Sequence, residues 1–141
     1  NGAHKGIILI IDFLCIFMNF REFQTTSGAI LILGKDSKSN DELVGEYEGK
    51  ENIILHTVEP GSPFCVIGDL NPDKKDIKEA AIVCASKSQD WRDNHSDVKV
   101  SVFDGKSVQK KKNMKEGTWR VKKRKRTILV KKKEVEEWLN Q

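Results

Sequence analysis

The sequence predicts an α+β fold: a mixed or antiparallel sheet of about five or six strands, one main helix packed on it, and a basic C-terminal hairpin. Three observations support this prediction. Short apolar runs recur along the chain and are bounded by glycine, proline and polar turn residues, as is typical of strands. Only residues 71–93 combine a helix start signal with helical spacing of apolar residues. A run of cations surrounds the last two predicted strands.

The first four predicted strands hold most of the apolar residues. They cover residues 28–33, 52–58, 64–67 and 97–103. Residues 28–33 are apolar on both alternating faces, as expected of a central strand, whereas Val98, Val100 and Val102 alternate with polar residues and should face the core. Residues 35–41 are rich in side chains that bond to their own backbone, so we predict a polar turn there.

The main helix is predicted to begin with Asn71 as the N-cap and Pro72 in the first position. Asp73 and Asp76 then lie near the positive end of the helix dipole. A stripe of small side chains follows at helical spacing: Ile77, Ala80, Ala81, Cys84 and Ser88. This stripe would let the helix lie close to the sheet, and its end is predicted within residues 89–93.

A hairpin is predicted near the C-terminal end, with arms at residues 118–123 and 127–131. Its inner face would carry four apolar side chains, Trp119, Val121, Ile128 and Val130. Residues 134–139 are predicted to form a short helix in which Trp138 covers the core.

The 141 residues fit a single domain, which we assign to residues 18–141. Residues 1–17 are interpreted as an apolar N-terminal extension. An additional strand or helix on the domain, or a signal or anchor, is an alternative interpretation. The apolar run is short for a bilayer and carries Asp12 near its centre, so no stable membrane insertion is expected.

The cysteines and histidines do not indicate a metal or disulfide site. Cys15, Cys65 and Cys84 are odd in number and form no C-x-x-C motif, which predicts a reducing compartment and a cytoplasmic location. The three histidines lie too far apart for a local zinc signature, and no cofactor is expected. His56 and Ser62 could form a catalytic pair, but no G-x-S-x-G motif accompanies them. We therefore predict a protein without enzymatic activity, with a small hydrolase or nuclease around His56 as an alternative.

Charge is distributed unevenly along the chain. Residues 1–70 contain five bases and ten acids, whereas residues 71–141 contain twenty bases and eleven acids. Residues 106–133 contain fourteen bases, and Glu116 is their only acid. Such a cluster favours an anionic macromolecular partner, although a solvated basic face is the plain alternative. The cations predicted to contact nucleic acid are Lys110, Lys111, Lys112, Lys115, Arg120, Lys122, Lys123, Arg124, Lys125, Arg126 and Lys131.

Several short motifs occur in an order found in one known family. They are Gly34-Lys35-Asp36, Asn40-Asp41-Glu42-Leu43, His56-Thr57-Val58, Pro60-Gly61-Ser62, Ala80-Ala81, Asp97-Val98-Lys99-Val100, Lys110-Lys111-Lys112, Gly117-Thr118-Trp119 and Arg126-Thr127-Ile128-Leu129-Val130. On these motifs the sequence resembles the NFACT-R domain over about residues 20–133. Pro63 stands where that family often carries a histidine.

The resemblance implies an α+β module that is proposed to bind RNA. In that family the module is usually part of larger proteins that act on stalled large ribosomal subunits in ribosome quality control, and stand-alone versions also occur. It implies ribosomal RNA or tRNA, and ribosome-associated proteins, as partners. It also singles out a polar site at Gly34, Lys35, Asn40, Asp41, His56, Gly61 and Ser62. Backbone geometry for the glycines and a self-bonded turn for Asn40 are the structural alternatives.

Two function classes remain beside the hydrolase. The first is an RNA-binding module that holds phosphates through the basic hairpin, with little selection of sequence. The second is a protein-interaction adaptor that does not bind nucleic acid. It would present the acidic residues Asp41, Glu42, Glu46, Glu48 and Glu51 to a basic partner.

Overall fold

The structure, a computed structural model, describes residues 20–124 and 126–141, and its largest element is a six-stranded sheet. In chain order its strands are β1 (Arg21–Gln24), β2 (Ile30–Leu33), β3 (Ile53–Thr57), β4 (Cys65–Ile67), β5 (Val98–Asp104) and β8 (Arg126–Val130). Their order in the sheet is β1-β2-β4-β3-β5-β8, and every neighbouring pair is antiparallel. A separate ribbon pairs β6 (Val108–Gln109) with β7 (Arg120–Val121). The extension predicted at residues 1–17 lies outside the described residues.

Four α-helices accompany the sheet in the described part of the chain: α1 (Ser37–Tyr47), α2 (Lys74–Ser86), α3 (Gln89–Asn94) and α4 (Lys132–Leu139). The predicted α+β class with a six-stranded, mostly antiparallel sheet is confirmed. The structure has more helices than the one main helix and the terminal helix predicted, because α1 and α3 were not expected. The predicted terminal helix is correct and begins two residues earlier than expected, at Lys132.

One face of the sheet packs against α2 and α4. Ala80, Ala81 and Cys84 of α2 are fully buried there, and so are the alternating valines of β5. The small side chains let α2 approach the sheet closely, as its spacing predicted. Trp138 of α4 is half-buried against this core, with its ring 5.6 Å from that of Phe23.

The opposite face is covered by α1 over only part of its width. Leu43 and Val44 of α1 are buried against β2 and β4 in a second apolar cluster, which includes Phe103 of β5. Side chains alternate along a strand, so His56 and Ser101 lie on this same face. Val108 of β6 and the partly buried Trp119 and Val121 belong to the same cluster, and the candidate site lies beside them.

The polar turn predicted at residues 35–41 is wrong, because helix α1 begins there. Asp36 is the N-cap: its carboxylate accepts from the Ser39 amide at 2.8 Å, while the Ser39 hydroxyl accepts from the Asp36 amide at 3.0 Å. Such a reciprocal capping box begins a helix with the same residue types that favour turns.

The main helix begins later and ends earlier than predicted. Its N-cap is Asp73 rather than Asn71, and Asp73 and Asp76 form the capping box. The chain then leaves the helix at Lys87, and the Ser88 hydroxyl caps α3 by accepting from the Trp91 amide at 3.1 Å. The predicted single helix to residues 89–93 is therefore two helices, because a buried serine starts a second one.

The predicted basic hairpin does not form. Strand β7 pairs with β6, and β8 pairs with β5. Trp119 and Val121 pack on the face that α1 covers, whereas Ile128 and Val130 pack on the α2 face. The two arms separate because each apolar pair finds a different core.

Candidate functional site

Two adjoining cavities open at the N-terminal end of α1. The larger, here called the aromatic cavity, has a volume of about 520 Å³ and is lined by His56, Phe64 and Trp119, among others. The smaller, the cationic cavity, has a volume of about 270 Å³. The four residues that line both are Ser37, Asn40, Gly61 and Ser62. Five of the seven residues of the predicted polar site, Gly34, Lys35, Asn40, Gly61 and Ser62, line the cationic cavity, and His56 lines the aromatic one.

Asn40 joins α1 to the sheet rather than closing a turn on itself. Its Oδ1 accepts from the Phe64 amide at 3.0 Å, and the Gly34 amide donates to the Phe64 carbonyl at 3.3 Å. A Cβ atom at Gly34 would lie 2.1 Å from Asn40 Oδ1. The glycine is therefore required by close approach.

Ser62 and His56 are both bonded to the backbone around the cavity. The Ser62 hydroxyl accepts from the Thr57 amide at 3.1 Å and donates to the Pro63 carbonyl at 3.1 Å. His56 Nδ1 lies 2.8 Å from the Thr57 carbonyl. Gly61 has a φ of +92°, so its conformation favours glycine, as the structural alternative expected. No hydrogen bond joins the two side chains in the described residues, although both line the aromatic cavity.

Burial lowers the pKa of His56, against the opposing effect of its backbone hydrogen bonds at Thr57 and Ser62. Its ring also lies over that of Phe64, with the centroids 4.3 Å apart. The ring is therefore neutral at physiological pH and forms a flat, uncharged wall of the cavity.

The depressed pKa of His56 predicts a pH-dependent stability. The unfolded chain takes up the proton near the ordinary pKa of 6.5, while the folded chain resists it. The free energy of unfolding should therefore be highest above that value and should fall as the pH drops from about 7.5 to 5.5. In His56→Gln this fall should shrink, as measured by urea denaturation across that range. Identical pH profiles for the two proteins would contradict the assignment.

Asp41 fixes the basic loop, defined here as residues 110–124, onto α1. Its Oδ1 accepts from Lys110 Nζ at 3.0 Å, from the Gly117 amide at 2.9 Å and from Trp119 Nε1 at 2.9 Å. Lys110 Nζ also donates to the carbonyls of Lys115 and Thr118, both at 2.8 Å. Asp41 and Lys110 thus hold the loop at the edge of the aromatic cavity.

Most of the other predicted cations are exposed. They are Lys111, Lys112, Lys115, Arg120, Lys122, Lys123, Arg124, Arg126 and Lys131. Lys115 and Arg124 line the aromatic cavity, and Lys131 lies 3.5 Å from the Asp97 carboxylate. Lys125 lies outside the described residues.

The chain matches a known protein family over most of its length. Residues 19–123, well over half of the chain, match the family described as the NFACT protein RNA binding domain. The chain belongs to this family. The predicted resemblance to the NFACT-R domain is confirmed.

Two curated relatives of this NFACT-R domain are homologues of Rqc2. The Rqc2 homolog RqcH of Bacillus subtilis is 33% identical over 70 residues, which is 48% of this chain and 12% of the relative. The archaeal homolog aRqcH of Methanocaldococcus jannaschii is 30% identical over 77 residues, which is 52% of this chain and 12% of the relative. The chain therefore spans only about an eighth of the length of these relatives.

A solved structure supports the fold of the NFACT-R domain. The C-terminal part of the fibronectin/fibrinogen-binding protein of Streptococcus suis superposes with a TM-score of 0.72 and 22% identity. The superposition covers 84% of this chain and 48% of that one. At this identity the likeness shows the shared α+β architecture alone.

Three cations at the cationic cavity of this NFACT-R domain were missed by sequence reasoning: Arg21, Lys87 and Arg92, which join Lys35 there. The Arg92 guanidinium donates to the Lys87 carbonyl at 3.1 Å and to Gln89 Oε1 at 3.0 Å. Burial and the nearby Arg21 charge lower the pKa of Lys87. No local sequence pattern predicts this cluster, because its members come from separate parts of the chain that only the fold brings together.

The thiols and carboxylates of the NFACT-R domain form no other site in the described residues. Cys65 and Cys84 are free and fully buried, and burial raises the pKa of Cys84 to about 12. Residues 20–124 and 126–141 contain no group of side chains that could hold a metal ion. No helix within these residues is long and apolar enough to cross a bilayer.

Proposed function

We propose that this chain is a non-enzymatic, cytoplasmic RNA-binding module that contacts RNA of a ribosomal particle, or a tRNA, through phosphates. The observation that carries the proposal is the exposed cationic basic loop beside the groove formed by the two cavities. The family description and the names of the two Rqc2 homologues support RNA and the ribosome as partners.

The basic loop suits a phosphate backbone because the loop is anchored to α1 while most of its cations are exposed. Lys110 is bound to Asp41 and two carbonyls, so its role in the proposal is to position the loop. Lys115 and Arg124 then lie at the aromatic cavity with their side chains exposed. Arginine offers bidentate contacts to phosphate and lysine a point charge, and neither selects a sequence.

The two alternative functions have less support in the contacts. A hydrolase would need His56 to activate Ser62, yet the hydroxyl of Ser62 is bonded to the backbone on both sides. An adaptor would need free acids, but two of its five acids are paired on the surface, Glu46 with Lys50 at 3.7 Å and Glu51 with Lys106 at 2.9 Å. Asp41 is likewise engaged in holding the basic loop.

The proposal predicts a strong dependence of RNA affinity on salt. If the domain neutralises about five phosphates, log K should fall against log salt with a slope of roughly −3.5 to −4.5. Fluorescence anisotropy with a labelled structured RNA measures this slope. A slope near zero would contradict phosphate binding.

Charge reversal at the basic loop should weaken RNA binding. In Lys122→Glu/Arg124→Glu, affinity at about 0.1 M salt should fall at least about tenfold, and the salt slope should become shallower by roughly 1.4–1.8. Both side chains are exposed, so the unfolding transition should be unchanged.

The matched control is Lys74→Glu/Lys75→Glu, which makes the same change in net charge at exposed positions of α2. Helix α2 packs on the opposite face of the sheet, so this variant should retain most of the affinity. Equal losses in the two variants would show that net charge, and not the basic loop, determines binding. Affinity unchanged by loop reversal would overturn the proposed surface.

A further inference from the structure

The hydroxyl of Ser101 is not explained by phosphate binding at the surface. Ser101 is 4% exposed, and its Oγ is the one buried side-chain polar atom without a hydrogen-bond partner in residues 20–124 and 126–141. It lines the aromatic cavity on β5, directly opposite His56 of β3 in the sheet register. A buried hydroxyl without a partner is unfavourable, so a ligand that reaches it gains a hydrogen bond which the protein alone does not satisfy.

The surroundings of this hydroxyl suit a flat, uncharged group. His56, Phe64 and Trp119 line the same cavity, and its volume of about 520 Å³ lies within the range of small-molecule sites. The His56 ring lies over Phe64 at a tilt of 30°, and its Nδ1 lies 2.8 Å from the Thr57 carbonyl, so its orientation is fixed. The indole of Trp119 is held by Asp41 at 2.9 Å, so this wall is also fixed. Rigid rings beside an unsatisfied hydroxyl resemble the way proteins hold nucleobases.

The adjoining cationic cavity suits an anion. Asp36 is the acidic side chain among its lining residues. The cavity is also lined by four cations: Arg21, Lys35, Lys87 and Arg92. The Asp36 carboxylate is engaged in capping α1 through the Ser39 amide. Burial and the nearby Arg21 charge both disfavour the charged form of Lys87, whose ammonium lies over the Phe23 and Trp138 rings, and an anion in the cavity would favour that form.

The two cavities meet along Ser37, Asn40, Gly61 and Ser62, so one ligand could occupy both. We propose that the groove takes up a single unpaired RNA nucleotide, with its base in the aromatic cavity against Ser101 and its phosphate in the cationic cavity. This inference rests on the proposed function, because it assumes that RNA is the partner. A paired base cannot enter, since its neighbours and its partner strand cover its edges.

The inference is tested with three RNA hairpins of the same stem: one fully paired, one with a single bulged uridine, and one with an abasic bulge. The 141-residue chain should bind the bulged-uridine hairpin at least about tenfold more tightly than the other two. Anisotropy at one fixed salt concentration measures all three, so the phosphate contribution is held constant. Equal affinity for the three hairpins would overturn the inference, while leaving general RNA binding intact.

Ser101→Ala separates a binding role from a structural one. Removing a hydroxyl that has no partner should leave the unfolding midpoint unchanged or raise it, while the preference for the bulged uridine should fall about fivefold to tenfold. Thr127→Val is the control, because Thr127 lies beside Ser101 on β8 but is exposed. It should keep the full preference.

The outcomes distinguish this inference from the proposed function. A preference that survives Ser101→Ala undiminished would overturn the assignment of the base to this cavity. A complete absence of binding to every hairpin at low salt would overturn the proposed function as well. A preference that is lost in Ser101→Ala and retained in Thr127→Val would establish the site.

Discussion

Gly34→Ala should lower the free energy of unfolding by about 2–4 kcal/mol. A Cβ atom at this position would lie 2.1 Å from Asn40 Oδ1 and 3.0 Å from the Asn40 Cα. The Asn40 side chain must therefore move, and the buried Phe64 amide then loses the acceptor that it has at 3.0 Å. Overpacking and the unsatisfied Phe64 amide both lower the free energy of unfolding. Urea denaturation followed by tryptophan fluorescence measures the change.

Gly45→Ala is the matched control for this substitution. Gly45 lies inside α1, and a Cβ atom there would contact nothing within 4 Å. Alanine favours helix over glycine, so the control should be more stable by about 0.5–1 kcal/mol. In an Asn40→Ala background, Gly34→Ala should cost much less than in the parent, because the side-chain clash is gone. Full additivity of the two substitutions would contradict the proposed contact.

Asp41→Ala should cost about 2–3 kcal/mol of stability and should weaken RNA binding as well. The substitution leaves Lys110, the Gly117 amide and the Trp119 indole without their shared acceptor. Since these groups attach the basic loop to α1, the loop should become sensitive to proteolysis before the domain unfolds. Urea denaturation and limited trypsin digestion measure the two effects separately.

Two further variants test whether the loss of stability in Asp41→Ala comes from the Asp41 carboxylate. Asp41→Asn keeps an acceptor oxygen but removes the charge that faces Lys110, so it should cost about half as much. Glu42→Ala, at the next position of α1, should change stability by less than about 0.5 kcal/mol. Normal resistance of the loop to trypsin in Asp41→Ala would contradict its anchoring role.

The sequence was sufficient for the core of the fold because its signals there are local. The alternating valines of β5 and the small stripe of α2 each specify one buried face without knowledge of the partner. Helix α1 was missed because Asp36 and Ser39 cap a helix with residues that also favour turns. The hairpin was wrongly predicted because neighbouring apolar pairs in sequence, at Trp119 and Ile128, belong to different faces of the sheet.

The candidate site was predictable in part. The family motifs identified Asn40, His56 and Ser62, which line the groove. Their contacts were not predictable, since the acceptor of the Phe64 amide lies 24 residues away along the chain. Ser101 carried no signal at all, because a serine in an alternating strand is ordinarily a solvent-facing residue, whereas Ser101 is 4% exposed in the folded domain.

Strand β8 is an edge strand of the six-stranded sheet. Arg126 is the first residue of this strand, and Lys131 directly follows its last residue. An edge strand can pair with a strand of a second polypeptide, and positively charged side chains commonly prevent such pairing. Replacing both residues with neutral ones would therefore be expected to promote self-association, so light scattering should accompany any measurement on variants of this strand.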